Sequence, residues 1–534
     1  MSSQKSKSFT TFSFSWVAMV SIVPLAISMS YLYPFAFGAT PFATVADAAC
    51  QKLYTQQGPL IILPSNTQYT NLSRGHWSQT SWKQPSCIAL PRSTSDVQIL
   101  ITSLVAENIP FAIRSGGHSP NPFDASIDAG VLIAMDNFNT VSYDDATKLA
   151  SFGPGAKWNA VYSALDPYNL TVVGGRVLDV GVGGLTLGSG LSYLSDLYGL
   201  VCDNVVAFEV VLADGRLVEA SSSKSPDLFW ALKGGTNNFG MCESSLYTYT
   251  IDIIPIVTKI TTTTYPINQI WSSIRTFSLS QTPEVMQALH DYQTTPNKDL
   301  YANLVLNVVA SNDTIILTLV YLKPIPNPLV YAPFDKLTPA TSTDVSITLH
   351  QLMGLFPIPA HPRWSWYSAS FTPNAELYAQ LSSLLATAPE VSTIAALQAG
   401  SLVGTVQPIS SNVVSAGEKR GGNAMGLEAV NQTWFSVNAA WWNAEDDAVA
   451  YAALASLHNK VEVLIKSAEA GVRYIFMNDA NIDQSVIASY GAANVARLIE
   501  VQKVYDPQSV FQKLVTGGQK LPIKLKEAED LEIN

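Results

Sequence analysis

Charged side chains are scarce in this sequence. Of its 534 residues only 13% are Asp, Glu, Lys or Arg, about half the share of an average soluble domain. Acidic residues outnumber basic ones, and the net charge is -11. Without a basic stripe to neutralise phosphates, a nucleic-acid partner has no electrostatic support. A chain of this length can bury a large core, and we expect two or more domains around a shared cleft.

The sequence also lacks the short motifs of common nucleotide and metal sites. No glycine-rich stretch matches G-x-G-x-x-G or G-x-x-x-x-G-K-[ST], and the four cysteines fit no zinc spacing, so we predict no metal site. Cys50 and Cys87 flank a stretch with little regular pattern, and we predict a disulfide between them. Cys202 and Cys242 either bond each other or remain buried thiols.

The N-terminal segment, residues 1–46, contains no charge after Lys5 and Lys7. Its apolar stretch from about residue 12 to 37 predicts a secretory signal peptide, and it is also long enough for a membrane anchor. We therefore expect a protein of the secretory pathway, either secreted or anchored in an endomembrane or the plasma membrane. Four glycosylation sequons agree with export; they begin at Asn71, Asn169, Asn312 and Asn431.

Three glycine-rich loops follow predicted strands or open predicted helices in the first half of the chain. A helix pattern from Ser95 and a strand at 109–113 lead into the first loop, residues 114–119. The second contains Gly181, Gly183 and Gly184, and the third spans 236–240. Together these loops let backbone N–H groups approach an extended, pyrophosphate-bearing cofactor.

After Pro255 the pattern changes to long alternating strands, such as 301–309 and 315–321, with an amphipathic helix at 446–467. This pattern indicates an antiparallel sheet with covering helices. We predict a cofactor domain at 47–255, a substrate domain at 256–480 and a C-terminal segment, 481–534, that returns to the cofactor domain.

The first loop also carries a family resemblance. The sequence Pro110-Phe-Ala-Ile-Arg-Ser-Gly-Gly-His118-Ser119 resembles the flavin-attachment loop of the berberine-bridge-enzyme group, in the vanillyl-alcohol oxidase superfamily, and the fungal members of secondary metabolism in particular. The resemblance covers about residues 80–255 and 470–520. It implies an α+β fold with a two-part FAD-binding domain and an antiparallel-sheet substrate domain. Further matching motifs lie at 153–156, 180–184, 210–215, 227–240 and 505–511.

The resemblance assigns cofactor contacts to particular residues. The histidine that matches His118 bonds covalently to the 8α-methyl carbon of FAD, which makes the flavin a stronger hydride acceptor. Met241 and Cys242 would contact the pyrimidine ring through their backbone, and Asn494 matches a C-terminal asparagine that contacts flavin. The remaining predicted cofactor-binding residues are Arg114, Ser115, Gly116, Gly117, Ser119, Gly181, Gly183, Gly184 and Gly188.

Three positions depart from the family pattern or qualify it. Val177 stands where doubly linked members have a cysteine, so we predict a single covalent link. Val180 occupies the position that controls oxygen access to the flavin, and its small side chain is the type associated with oxidases. Pro120 replaces a tyrosine of the plant relatives, whose catalytic role is therefore not carried over.

The sequence does not identify the catalytic base or the substrate. Tyr367 and Glu428 are candidates for the base. We expect an FAD-dependent oxidase that takes hydride from a small, apolar alcohol, amine or activated C–H compound and passes the electrons to O2, giving H2O2. The alternatives are a carbohydrate oxidase, and a flavin-bearing cyclase or binding protein with a secondary redox role.

Overall fold

Three β-sheets organise the part of the chain that the structure describes. The computed structural model describes residues 41–236, 238, 256–356, 361–515 and 517–522, which belong to one compact unit, Pro41–Asn534. The apolar N-terminal stretch that we predict to be a signal or anchor lies outside these residues. Within them, no helix has both the length and the apolar character needed to cross a membrane.

The first sheet holds the predicted flavin-attachment loop at one end of a strand. Its strand order is β1-β2-β4-β3, with β2, β4 and β3 parallel and β1 antiparallel to β2. Helix α3, Thr94–Ala106, packs beside it and begins with a capping box in which Ser93 and Asp96 satisfy each other's backbone N–H groups. The strands are β1 Ile61–Ile62, β2 Cys87–Ala89, β3 Phe111–Arg114 and β4 Val131–Ala134.

The second sheet is antiparallel and six-stranded. Its order is β5-β6-β10-β8-β9, with β7 paired to β10. Strand β10 lies in the range that we predict to be the substrate domain, yet its hydrogen-bonded partners all belong to the preceding part of the chain. The strands are β5 Val141–Asp144, β6 Leu149–Phe152, β7 Thr171–Val172, β8 Val205–Val211, β9 Leu217–Ser221 and β10 Ile256–Tyr265.

The third sheet, here called the substrate sheet, is antiparallel and seven-stranded, in the order β14-β11-β13-β12-β16-β17-β15. Buried and half-buried residues alternate along β12, as expected of a strand with one face on a core. The predicted antiparallel sheet with covering helices is thus confirmed. The strands are β11 Gln269–Ser278, β12 Ala302–Val309, β13 Thr314–Tyr321, β14 Thr341–Thr348, β15 Arg363–Phe371, β16 Ser401–Ile409 and β17 Gln432–Trp441.

Helices cover the outer faces of these sheets and join their strands. The amphipathic helix α14 packs on β15 and β17 through buried residues such as Leu454 and Leu457. The other helices are α1 Pro41–Gln57, α2 Tyr69–Ser73, α4 Trp158–Leu165, α5 Val182–Leu187, α6 Ser195–Tyr198, α7 Pro226–Leu232, α8 Thr282–Thr294, α9 Ala332–Asp335, α10 Leu349–Gly354, α11 Ala375–Thr387, α12 Pro389–Ala395, α13 Ser411–Glu418, α15 Ala492–Tyr505 and α16 Val510–Lys513, while α14 spans Asp447–Ser467.

The predicted disulfide between Cys50 and Cys87 is confirmed, and it ties α1 to β2. Of the other two cysteines, Cys202 is a free, buried thiol, and burial raises its pKa. Cys242 lies outside the described residues, as does Met241. The cysteine chemistry that the structure describes is therefore structural rather than reactive.

Candidate active site

A cavity of about 440 Å³ lies between the first glycine loop, the α5 region and the C-terminal part of the chain. Its wall includes residues 115–119, the glycines of the second loop and the segment 476–480. The substrate sheet contributes Trp366 from β15, and residues 518–519 close one side. The volume is in the range of ligand sites, and the wall brings together segments more than 350 residues apart in the chain.

His118 lies in the wall of this cavity, in a half-buried, ring-stacked position. Its imidazole stacks on the indole of Trp77, with ring centroids 4.3 Å apart and planes 9° apart. Among the described residues, its buried Nε2 has no hydrogen-bond partner. Burial lowers the pKa of His118 to about 4. The imidazole is therefore neutral at physiological pH, and it keeps a lone pair available for bond formation.

The two glycine loops contact each other through the backbone atoms of Gly116 and Gly181, with no side chain between them. A Cβ on Gly116 would lie 2.3 Å from the Cα of Gly181, and a Cβ on Gly183 would lie 2.6 Å from the Oγ of Ser115. A Cβ on Gly184, by contrast, would meet no atom of the chain within 4 Å. The glycines thus permit a close loop contact on one side and leave open space on the cavity side.

Most of the predicted cofactor-binding residues line the cavity. Gly188 does not, and a Cβ there would lie 2.7 Å from the Nδ2 of Asn478. Arg114 does not either: its guanidinium donates to the carbonyl of Leu72 and to Asp136, at 3.0 Å for the carboxylate. The ones that line the cavity are Ser115, Gly116, Gly117, His118, Ser119, Gly181, Gly183 and Gly184.

Arg114 and Ser115 differ because they are consecutive residues at the end of strand β3, where side chains alternate between opposite faces. The side chain of Arg114 packs against Gly75 through its guanidinium and against Gly117 through its Cδ, while Ser115 lines the cavity. Arg114 therefore supports the loop from behind, and the structure does not place its charge against a pyrophosphate in the cavity.

The C-terminal asparagine that lies in the cavity is Asn478, which sequence reasoning missed. Its Oδ1 accepts hydrogen bonds from the N–H of Gly190, at 3.0 Å, and from the hydroxyl of Ser189, at 3.3 Å. Asn494, which we predicted, lies on α15 beside Gly426 and is absent from the cavity wall. The signal for Asn478 was the dipeptide Asn478-Asp479, which follows the apolar stretch 474–477.

Neither predicted candidate for the catalytic base lines the cavity. On β15, Trp366 faces the cavity, so Tyr367 faces the opposite side, where it stacks on His458 with ring centroids 4.7 Å apart. Burial and the neighbouring Asp483 raise the pKa of Tyr367 to about 12. Glu428 is exposed in the loop before β17.

Two carboxyl groups that sequence reasoning missed do line the cavity, Asp124 and Asp479. Asp124 accepts hydrogen bonds from Ser119, at 2.6 Å, and from Asn121, at 3.1 Å, so it fixes the His118 loop. Asp479 accepts from the amide of Gln407 on β16, at 3.0 Å. Burial raises the pKa of both carboxyl groups.

Asp479 belongs to a polar cluster that connects the cavity to the substrate sheet. The guanidinium of Arg176, which also lines the cavity, donates to the Oε1 of Gln407. The amide of Gln407 is thereby held with its oxygen toward Arg176 and its nitrogen toward Asp479. Among the described residues, the second carboxylate oxygen of Asp479 has no hydrogen-bond partner.

Both valines that qualify the family pattern lie in the cavity wall. Val177 and Val180 belong to the turn that precedes α5. The carbonyl of Val180 accepts from the N–H of Trp158 at 3.1 Å, which holds the turn in place. The residue at 180 can therefore affect what reaches the adjacent part of the cavity.

Comparison with known proteins agrees with this geometry. The family described as FAD binding domain matches residues 85–221. The chain is 33% identical to the bifunctional solanapyrone synthase of Alternaria solani over 486 residues, 91% of each protein. It is 34% identical to an FAD-dependent monooxygenase of Arthrobotrys oligospora over 461 residues, 84% of this chain and 85% of that protein.

Solved structures show the same fold at lower identity. Glucooligosaccharide oxidase from Acremonium strictum superposes with a TM-score of 0.73 at 17% identity, covering 89% of this chain and all of that one (100%). BBE-like 1 of Physcomitrella patens gives a TM-score of 0.72 at 16% identity, covering 89% and 99%.

The fold, the glycine-lined cavity and these matches define an FAD-dependent oxidoreductase. Within that class, the chain belongs to the family of its fungal relatives of secondary metabolism, which includes the solanapyrone synthase and the FAD-dependent monooxygenase. Its fold is that of the berberine-bridge-enzyme-like and vanillyl-alcohol oxidase flavoenzymes.

Proposed function

We propose that this protein carries FAD on a single covalent bond to His118 and oxidises a small, mainly apolar organic molecule, with O2 as final electron acceptor and H2O2 as by-product. The observation that carries the proposal is the place of His118 in the cavity wall. A neutral imidazole whose Nε2 has no hydrogen-bond partner among the described residues leaves that nitrogen free for bond formation.

The glycine loops in the cavity wall suit an FAD. The space beside Gly184 and the bare contact of Gly116 with Gly181 allow backbone N–H groups to approach a large anionic ligand. Residues 115–119 and 181–184 would hold the cofactor. When bound, FAD supplies the acceptor for the hydride that leaves the substrate.

We propose that Asp479 takes the proton that leaves with that hydride. As a substrate C–H bond gives up hydride, the O–H or N–H bond next to it breaks, its proton passes to Asp479, and a C=O or C=N bond forms. Burial raises the pKa of this carboxyl group, which makes it a better base at neutral pH. Gln407 and Arg176 orient it from the sheet side.

The rest of the wall favours a substrate with an apolar body. Leu187, Leu191, Phe476 and Met477 line the cavity together with Trp366. A site of this kind binds by burying apolar surface, and a few polar groups fix the orientation. We infer a hydrophobic alcohol, amine or activated C–H compound whose polar group lies against Asp479.

The names of the relatives support a second candidate, a monooxygenase. The Arthrobotrys oligospora protein is named an FAD-dependent monooxygenase, and such an enzyme places one oxygen atom of O2 in its product. An oxidase returns both atoms as H2O2. Turnover under ¹⁸O2 with peroxide quantified in parallel separates the two: label in the product supports the monooxygenase, and one peroxide per product without label supports the oxidase.

A carbohydrate oxidase is less well supported. The Acremonium strictum structure is titled with a 6-S-cysteinyl, 8α-N1-histidyl FAD, a flavin with two links. The position where doubly linked members have the cysteine is Val177 in this chain. The apolar wall beside Trp366 also offers few hydrogen bonds to a sugar. A templated cyclisation with secondary redox chemistry would show product formation without O2 consumption.

The covalent bond is tested without knowledge of the substrate. Wild-type protein precipitated with acid should stay yellow, whereas His118→Ala should release its flavin to the supernatant. Peptide mapping should find one flavinylated peptide, and it should contain His118. A colourless precipitate from flavin-loaded wild-type protein, or flavin on a cysteine peptide, would refute the proposal.

We further propose that the chain enters the secretory pathway, either secreted or held at a membrane by its N-terminal segment. All four sequon asparagines, Asn71, Asn169, Asn312 and Asn431, are exposed, as glycosylation requires. The disulfide agrees with an oxidising compartment. Expression in a eukaryotic host followed by glycosidase treatment should shift the apparent mass, and an unchanged mass would count against export.

A further inference from the structure

The ring of Trp77 stacks on one face of the His118 imidazole. The centroid separation of 4.3 Å and the angle of 9° describe a flat stack. The backbone joins the same two segments, since the N–H of Trp77 donates to the carbonyl of Gly117 at 2.9 Å. The imidazole is thus held by a ring from a segment about 40 residues earlier in the chain.

Trp77 is held in place by contacts with strand β15 of the substrate sheet. Its indole lies 4.9 Å from the ring of Trp364 and 6.0 Å from that of Trp366, both on β15. The backbone N–H of Gln79 donates to the carbonyl of Pro362 at 2.7 Å, and the N–H of Trp364 donates to the hydroxyl of Ser78 at 3.1 Å. The substrate sheet therefore braces the segment that carries the stacking ring.

From this arrangement, and on the basis of the proposed covalent flavin, we propose that Trp77 is a positioning residue for flavin attachment: its indole holds the His118 imidazole in the plane from which the ring nitrogen reaches the cofactor. Histidine rotates broadly about its second side-chain torsion, and no other ring in the described part of the chain stacks on His118. Without Trp77 the imidazole samples orientations that do not lead to bond formation.

The reaction that Trp77 assists is an oxidative one. The bond between the imidazole nitrogen and the 8α carbon forms while one C–H bond of the methyl group and the imidazole N–H break. Two electrons and two protons leave in total, and O2 accepts them as H2O2. Trp77 exchanges no atoms in this step, so its effect is on the rate of attachment and not on its stoichiometry.

The test compares four proteins: wild type, Trp77→Leu, Trp77→Phe and Trp364→Leu. Each protein is expressed for a time too short for complete flavin attachment and is purified with its flavin. Acid precipitation then separates the covalently attached flavin, which stays with the protein, from the flavin that is released. Aromatic pairs contribute about 0.5–1.5 kcal/mol, so Trp77→Leu should attach flavin about two- to tenfold more slowly. Trp77→Phe keeps a flat ring and should restore most of the rate. Trp364→Leu removes a ring that contacts Trp77 but does not stack on His118, and should slow flavin attachment less than Trp77→Leu does.

The outcomes separate this inference from the proposed function. If wild-type protein holds only acid-released flavin, the covalent link itself fails. If wild type is linked and Trp77→Leu attaches flavin at the wild-type rate, or if Trp77→Phe is as slow as Trp77→Leu, the positioning role of Trp77 is refuted. Equal loss in Trp364→Leu would also refute it, because general loosening of the cluster would then suffice. Should Trp77→Leu not fold, Trp77→Met, whose flexible chain fills irregular gaps, serves the same comparison.

Discussion

The contact between the two glycine loops gives a sharp test of how the cofactor cavity is built. In Gly116→Ala, the new Cβ would lie 2.3 Å from the Cα of Gly181. Ordinary contacts begin at 3.4 Å, so the loops must separate by at least 1.1 Å. Both neighbours are backbone and cannot rotate away. We expect the free energy of unfolding to fall by about 1–3 kcal/mol, as for overpacked cores.

Gly184→Ala is the matched control, since it adds the same methyl group to the same cavity wall. No atom of the chain lies within 4 Å of the new Cβ, and neither glycine has a positive φ. Gly184 is also part of helix α5, where alanine is preferred over glycine by about 0.5–1 kcal/mol. The stability of the flavin-free protein should therefore be unchanged or slightly increased, while the bound flavin should decrease because the methyl group enters the cofactor space.

The measurement is urea unfolding of both variants in a His118→Ala background freed of flavin, with the flavin content determined separately in the His118-containing proteins. Three results would contradict the reasoning: equal loss of stability in the two variants, a neutral Gly116→Ala, or full flavin content in Gly184→Ala. The last would show that the cofactor does not occupy the space beside the second glycine loop.

Three further predictions address oxygen access, catalysis and stability. Val180→Leu should slow reoxidation of reduced enzyme in air but leave flavin reduction nearly unchanged, as stopped-flow absorbance can show; equal slowing of both half-reactions would argue against gating. Asp479→Asn should lower kcat by about 10²–10⁴-fold with normal flavin content, and a rate near wild type would exclude it as the base. Replacing Cys50 and Cys87 by serine should cost about 3–4 kcal/mol of unfolding free energy, and an unchanged denaturation midpoint would contradict the chain-entropy argument.

Local sequence patterns predicted the elements that surround the cavity well. The helix expected from Ser95 is α3, Thr94–Ala106, and the strand expected at 109–113 is β3, Phe111–Arg114. In both cases the determining interactions lie within a few residues: a cap, an apolar face or a short apolar run. The two glycine loops belong to the same category, and most of the residues predicted from them line the cavity.

Contacts between distant segments could not be predicted in this way. Trp77, Asn478 and Asp479 reach the site only because the first sheet, the substrate sheet and the C-terminal segment pack together. Asn494 was chosen because it matches a family motif. It lies on α15, where its side chain is next to Gly426 and does not line the cavity. Even within a single loop, the sequence did not show which side chains face the cavity. Ser115 lines the cavity, whereas the guanidinium of the preceding Arg114 is buried behind the loop.

The order in which the chain supplies the cavity wall has a consequence for biosynthesis. The first wall residues come near 113 and the last are Gly518 and Gln519, so a chain still being translated lacks one side of the site until residues 518 and 519 have been added. Flavin loading should therefore follow the synthesis of these two residues, and a chain truncated before 518 would be synthesised with His118 but without the complete cavity wall. Nascent chains that end before residue 518 should accordingly contain no attached flavin.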